Sequence, residues 1–98
     1  MKIGFNLLLY SGHITEANYP VIEKLKATGY DGVEVPIFDV SNPAHFKGIG
    51  QVLKDNGLEC TAVTVLPDEA HNAISPVAAN RQGAIDHLKR VIECAHNA

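Results

Sequence analysis

The chain of 98 residues has no apolar run long enough to cross a bilayer. Its longest near the start, Leu7-Leu8-Leu9-Tyr10, is far short of the ~20 residues that a spanning helix needs. After Lys2-Ile3-Gly4 there is neither the hydrophobic stretch nor the cleavage site of a signal peptide, so a cytoplasmic protein with no membrane partner is expected. Basic charge is sparse: eight Lys and Arg are scattered along the chain, and the net charge is −3 with five histidines neutral. No basic stripe can track a phosphate backbone, which excludes nucleic acid as the expected partner. Cysteine is limited to Cys60 and Cys94, without CxxC spacing. They read as buried thiols in a reducing compartment rather than as a disulfide framework.

What is present suits a folded domain. Hydrophobic residues make up 46% and charged residues 19%, far from disordered or collagen-like compositions. A chain of this length buries somewhat over ~60% of the surface its unfolded form exposes, enough for one small core.

Ile3 to Leu9 is mostly apolar without a helical period, as expected of a parallel strand covered on both faces. Ser11-Gly12 signals a turn. Thr15 and Glu16 can start a helix carrying Val21, Ile22 and Leu25 on one side, with Pro20 in an early turn and Gly29 at the left-handed stop. A second strand spans Gly32 to Ile37, and Pro36 marks its carboxyl end. Asn42 and Pro43 read as a cap and first helical residue ahead of Phe46, Ile49, Val52 and Leu53, and Gly57 ends that helix. A third strand covers Leu58 to Leu66 and breaks at Pro67-Asp68-Glu69. Ser75-Pro76 then opens a third helix with an apolar stripe of Ala84, Ile85, Leu88, Val91, Ile92 and Ala95.

The unit of helix, glycine stop and short apolar strand therefore recurs, at Leu25 to Pro36 and again at Leu53 to Val65. The fold class this order implies is α/β, a parallel βαβαβα unit with right-handed crossovers.

Three stretches carry a family likeness: Gly29-Tyr30-Asp31-Gly32-Val33-Glu34, Asp55-Asn56-Gly57-Leu58, and Asn72 to Ser75 leading to Ala78-Ala79-Asn80-Arg81-Gln82-Gly83. With them the chain resembles the amino-terminal part of the sugar isomerase and epimerase family with a xylose-isomerase-like TIM barrel, most of all the ketose 3-epimerases. The resemblance implies that residues 1–98 are the first three β/α units of a (β/α)8 barrel, an incomplete domain. It also implies a small-molecule sugar substrate and a divalent metal, manganese, cobalt or magnesium, held in the full-length family by two glutamates, an aspartate and a histidine on later strands. None of those four positions is in this chain, so no catalytic residue, no bound metal and no turnover are expected of it alone.

Glu34 lies opposite Val33 and Val35 along its strand, so it should point into the barrel while the valines pack on helices. It reads as a pocket carboxylate toward substrate or as a structural acceptor inside the barrel, with equal weight. Asn6 stands where the epimerases carry an aromatic residue against the sugar; an amide there can bond a hydroxyl or simply be a satisfied interior group. Val63 matches a pocket-lining position, though an ordinary core valine is the stronger reading. A loop metal site built from His13, Asp68, Glu69 and His71 is a minor reading, because their spacing is not diagnostic. His45, His87 and His96 are expected on helix surfaces, Arg81 is expected to tie the third helix to the preceding loop, and Lys24, Lys26, Lys89 and Arg90 to be solvated.

Two other readings compete. An apurinic endonuclease of the same superfamily has a metal-binding histidine after strand three, but acidic balance and the lack of basic patches argue against it. A small α/β module could instead self-associate, because strands one and three would each leave an unpaired edge.

Overall fold

A computed structural model describes residues 1–98. Three strands alternate with three helices: β1 (Gly4–Asn6), α1 (Tyr19–Thr28), β2 (Gly32–Pro36), α2 (His45–Asp55), β3 (Glu59–Val63) and α3 (Ala78–Asn97). The strands form one parallel sheet in the order β1-β2-β3, so the expected βαβαβα arrangement is observed.

Both glycine stops are used in the same way. Gly29 (φ 113°) and Gly57 (φ 64°) adopt left-handed backbone, and the residue after each returns a hydrogen bond to the helix: Tyr30 N to Leu25 O at 3.2 Å, Leu58 N to Leu53 O at 2.9 Å. A side chain with a Cβ would be strained there, and the paired caps turn the chain from helix into strand. Pro20 lies in the first turn of α1, where its missing N–H costs nothing.

Register places Gly4, Gly32 and Glu59 side by side, then Asn6, Glu34 and Thr61. Val33 and Val35, on the other face of β2, are buried with Ile22 and Leu25 of α1 and with Phe46, Ile49 and Leu53 of α2. Leu7, Ile14, Ile37 and Leu58 close this core from the strand ends, and Val91 and Cys94 of α3 reach it past α2. The opposite face of the sheet carries no helix, and the molecule is an open wedge of 48 × 27 × 19 Å.

Several sequence expectations are corrected. β1 stops at Asn6, and Leu7–Leu9 form a short 3-10 turn because the Asn6 Oδ1 accepts the Leu8 N–H at 3.0 Å and bends the chain out of the sheet. β3 ends at Val63 rather than Leu66. Asn42 and Pro43 form a turn leading into α2, which begins at His45, and Ser75 likewise precedes α3, its Oγ accepting the Val77 N–H at 3.1 Å. On α3 the buried side is Ala84, His87, Val91 and Cys94, whereas Ile85, Leu88 and Ile92 are exposed. The apolar stripe read from the sequence is thus two faces, only one of which this chain covers.

Glycine inside helices also has a packing reason. A Cβ on Gly83 would stand 2.2 Å from the carbonyl oxygen of Ala70, in the loop before α3. Gly83→Ala should gain up to ~1 kcal/mol in helix propensity and lose about 1–3 kcal/mol to overlap. A lower urea midpoint for the variant, despite its better helix former, is the expected result.

Candidate functional site

The uncovered face of the sheet is hollowed by its glycines. Gly4 and Gly32 leave a floor of bare backbone, and Gly32 admits nothing larger because a Cβ would meet the Glu59 carbonyl oxygen at 2.8 Å. Above this floor lies a trough of about 350 Å³ that Asn6, Glu34 and Thr61 line across three adjacent strands. At its amino end Lys2 Nζ pairs with Glu59 Oε1 at 2.5 Å, and the Ile3 N–H donates to Asp31 Oδ2 at 2.8 Å. The Lys2–Glu59 pair is exposed on both sides and contributes little stability.

Glu34 therefore lies where strand alternation places it, half-buried in the middle of the row with Val33 and Val35 buried behind it. Asn6 is beside it. Because Leu8 N–H occupies its oxygen, the amide nitrogen of Asn6 is the group left to donate. Val63 is half-buried on the same face as Glu59 and Thr61, in register with Pro36, and its carbonyl accepts the Ile37 N–H at 2.8 Å. Thr61 was missed from sequence. Counting back two residues from Val63 finds it, since β-strand side chains share a face at period two.

A second hollow of about 190 Å³ opens between the loops that follow β1 and β2, lined by His13, Asp39, Asn42 and His45. His45 is not the surface residue expected. Its ring stacks on His13 with centres 4.4 Å apart, and its Nε2 is 2.7 Å from the carbonyl oxygen of Ile14. The Ser41 hydroxyl and N–H, at 2.6 and 2.9 Å from Asp39 Oδ1, hold the Asp39 carboxyl below its ordinary range, with His13 and His45 adding to the effect.

The histidines grouped from sequence as a loop metal site are separated. His13 belongs to the hollow after β1 and β2, whereas His71, with its Nδ1 at 2.5 Å from Asp68 Oδ1, lies in the loop after β3. Nowhere do three or more His, Cys, Asp or Glu side chains converge in a way that could hold a metal ion. The residues of this chain thus do not fit the divalent metal of the resembled family. Arg81 does tie α3 to the preceding loop, its Nη1 donating to Ser75 O at 2.8 Å. His87 is buried, contrary to expectation. The cysteines are unbridged: Cys94 is buried, and burial pushes its thiol pKa up, while Cys60 is exposed on β3 because no helix covers that part of the strand.

The geometry defines a class: an α/β chain of three successive β/α units whose open sheet face carries a polar row. Among solved structures, one of D-psicose 3-epimerase in the presence of D-fructose is similar, with a TM-score of 0.77 and 25% sequence identity over 99% of this chain. The chain spans about a third (34%) of that protein's length. Its fold is that of a portion of a TIM-barrel, ketose-epimerase-like protein. No protein-family model matches the chain, and no curated protein matches it by sequence. No helix is long and apolar enough to cross a membrane.

The Asp39 contacts have a measurable sign. A carboxyl whose pKa is depressed on folding stabilises the folded loop above its unfolded pKa, and that contribution is lost as pH falls through the depressed folded value. Carbon-detected NMR titration should give Asp39 a midpoint below its ordinary 3.8, and Ser41→Ala should move it upward.

Proposed function

We propose that residues 1–98 are the amino-terminal portion of a metal-dependent sugar isomerase or epimerase that acts on ketoses by proton transfer through an enediolate. The observation that carries this reading is the match of the whole chain to part of D-psicose 3-epimerase, combined with a polar row on the face that would be a barrel interior. The protein is proposed to be cytoplasmic, with a small sugar as substrate and with neither nucleic acid nor membrane as partner.

Moving a proton beside a ketone needs one group to remove it and another to return one on the opposite face. In this chain Glu34 is the one carboxylate in the central row, so it cannot supply both. Its proposed role is to accept hydrogen bonds from substrate hydroxyls. Asn6 donates from its amide nitrogen, and Val63, outside the trough's lining but two residues beyond Thr61 on the same face, is proposed to extend the pocket wall toward the carboxyl end of β3. The divalent metal, manganese, cobalt or magnesium, and the proton-transferring carboxylates belong to the remaining barrel units, and this chain by itself is inactive.

Alone, the chain is also proposed to self-associate. β1 and β3 are both sheet edges, the trough is uncovered, and Ile85, Leu88 and Ile92 of α3 are exposed. Unpaired edges of this kind invite pairing with another chain.

Light scattering should show dimers or larger species; a stable monodisperse monomer would count against self-association. Incubation of the 98-residue chain with ketohexoses and manganese should give no epimer by chromatography. In a full-length epimerase carrying this segment, Glu34→Gln should raise KM and leave metal content unchanged, and loss of metal would show that its role is misassigned.

A further inference from the structure

The outer edge of β3 carries unpaired backbone groups whose positions follow from its ladder to β2. Glu59 N donates to Asp31 O at 3.0 Å at one end of that ladder, and Ile37 N donates to Val63 O at 2.8 Å at the other. In a parallel pair both backbone groups of a residue point to the same side, and the side alternates along the strand. Glu59, Thr61 and Val63 therefore bond inward to β2. Cys60 and Ala62 turn their N–H and C=O groups outward, where no further strand lies.

Nothing protects this edge. Sheet edges are ordinarily blunted by lysine, proline, a bulge or a covering element. β3 has neither proline nor lysine, its one charged side chain, Glu59, is already paired with Lys2, and Glu59 to Ala62 are all exposed. The edge of β1 is the poorer template. That strand has three residues, and the Asn6 side chain turns the chain out of the sheet at Leu7.

We infer that the partner of the β3 edge is β3 of a second copy of this chain, paired antiparallel about a two-fold axis through Thr61. The inference rests on the self-association proposed above and names the surface that carries it. This register matches the outward residues with each other inside the strand: Cys60 faces Ala62 of the second copy, Ala62 faces Cys60, and each such pair exchanges both N–H···O bonds. Thr61 then meets Thr61 in a non-hydrogen-bonded pair, with Cα atoms about 4.5 Å apart. No like charges are opposed, because Glu59 stands across from Val63. The axis is perpendicular to the sheet, so both helix layers stay on one side of a continuous sheet and the two rows of Asn6, Glu34 and Thr61 join on the other. Such a contact closes on itself, whereas β3 against β1 of the next copy would be head-to-tail and open-ended. Two short strands cover well under the ~800 Å² per partner of a standard interface, so the dimer is expected to be weak.

Sedimentation velocity over a concentration series tests this, with Ala62→Pro as the variant. The Ala62 N–H points away from β2, so proline there leaves the β2–β3 ladder intact and removes the pairing donor. The unaltered chain is expected to reach a dimer and stop. Ala62→Pro, with an unchanged circular dichroism spectrum, is expected to weaken dimerisation at least ~10-fold. Cross-linking decides the register without that variant. In a Cys60→Ser background under copper-phenanthroline oxidation, Thr61→Cys should give a covalent dimer, since its Cα atoms fall within disulfide reach. Ala62→Cys, whose two copies stand diagonally across the axis at roughly 7–8 Å, should not. Cross-linking of Ala62→Cys in preference to Thr61→Cys, a ladder of larger oligomers, or a dimer that survives Ala62→Pro overturns this inference and leaves self-association standing. A monomer at every concentration overturns both.

Discussion

The structure depends on β2 being paired on both edges while its two faces meet different surroundings. Parallel ladders to β1 and β3 hold its backbone, and strand alternation then forces Val33 and Val35 to one side and Glu34 to the other. The valines anchor the layer of α1 and α2, where Ile22, Phe46, Ile49 and Leu53 are buried. Because that layer occupies one face alone, the polar row of Asn6, Glu34 and Thr61 is left on the other. The same alternation that makes the core makes the trough.

This asymmetry gives the sheet one packed face and one bare face. The helix side of the sheet is a continuous apolar core from Leu7 to Cys94. The open side has glycine floors, a half-buried carboxylate and an edge strand, β3, whose residues are nearly all exposed. An all-parallel sheet is ordinarily covered on both faces, so the bare face is the physical counterpart of matching about a third of a barrel protein. Function in a barrel of this type is assembled at the carboxyl ends of several strands. The three strands of this chain contribute one wall, the row of Asn6, Glu34 and Thr61.

The outer layer has its own constraints. α3 is attached to the rest by two close approaches, Gly83 on the Ala70 backbone and Gly50 on the Asn97 carbonyl oxygen, where a Cβ would stand 2.2 and 2.5 Å away. Asn97 Nδ2 also donates to Pro43 O at 2.9 Å, which pins the end of α3 to the start of α2. Small residues at these crossings place His87 beneath the β3–α3 loop rather than at the surface.

The elements legible in the sequence were those encoded by local pattern. The glycine stops at Gly29 and Gly57, the short apolar strands and the helical spacing of Phe46, Ile49 and Leu53 depend on neighbours within a few residues, so the βαβαβα order and the facing of Glu34 could be read without a structure. Arg81 reaching back to Ser75 was legible for the same reason. Tertiary structure decided what depends on distant partners. Whether Ile85, Leu88 and Ile92 are core or surface turns on which elements lie beside α3, and their helical spacing is identical in either case. The burial of His87, the stacking of His45 on His13 and the exposure of Cys60 likewise follow from elements far apart in sequence meeting, or failing to meet. Periodicity records which side chains share a face; only packing determines what that face meets.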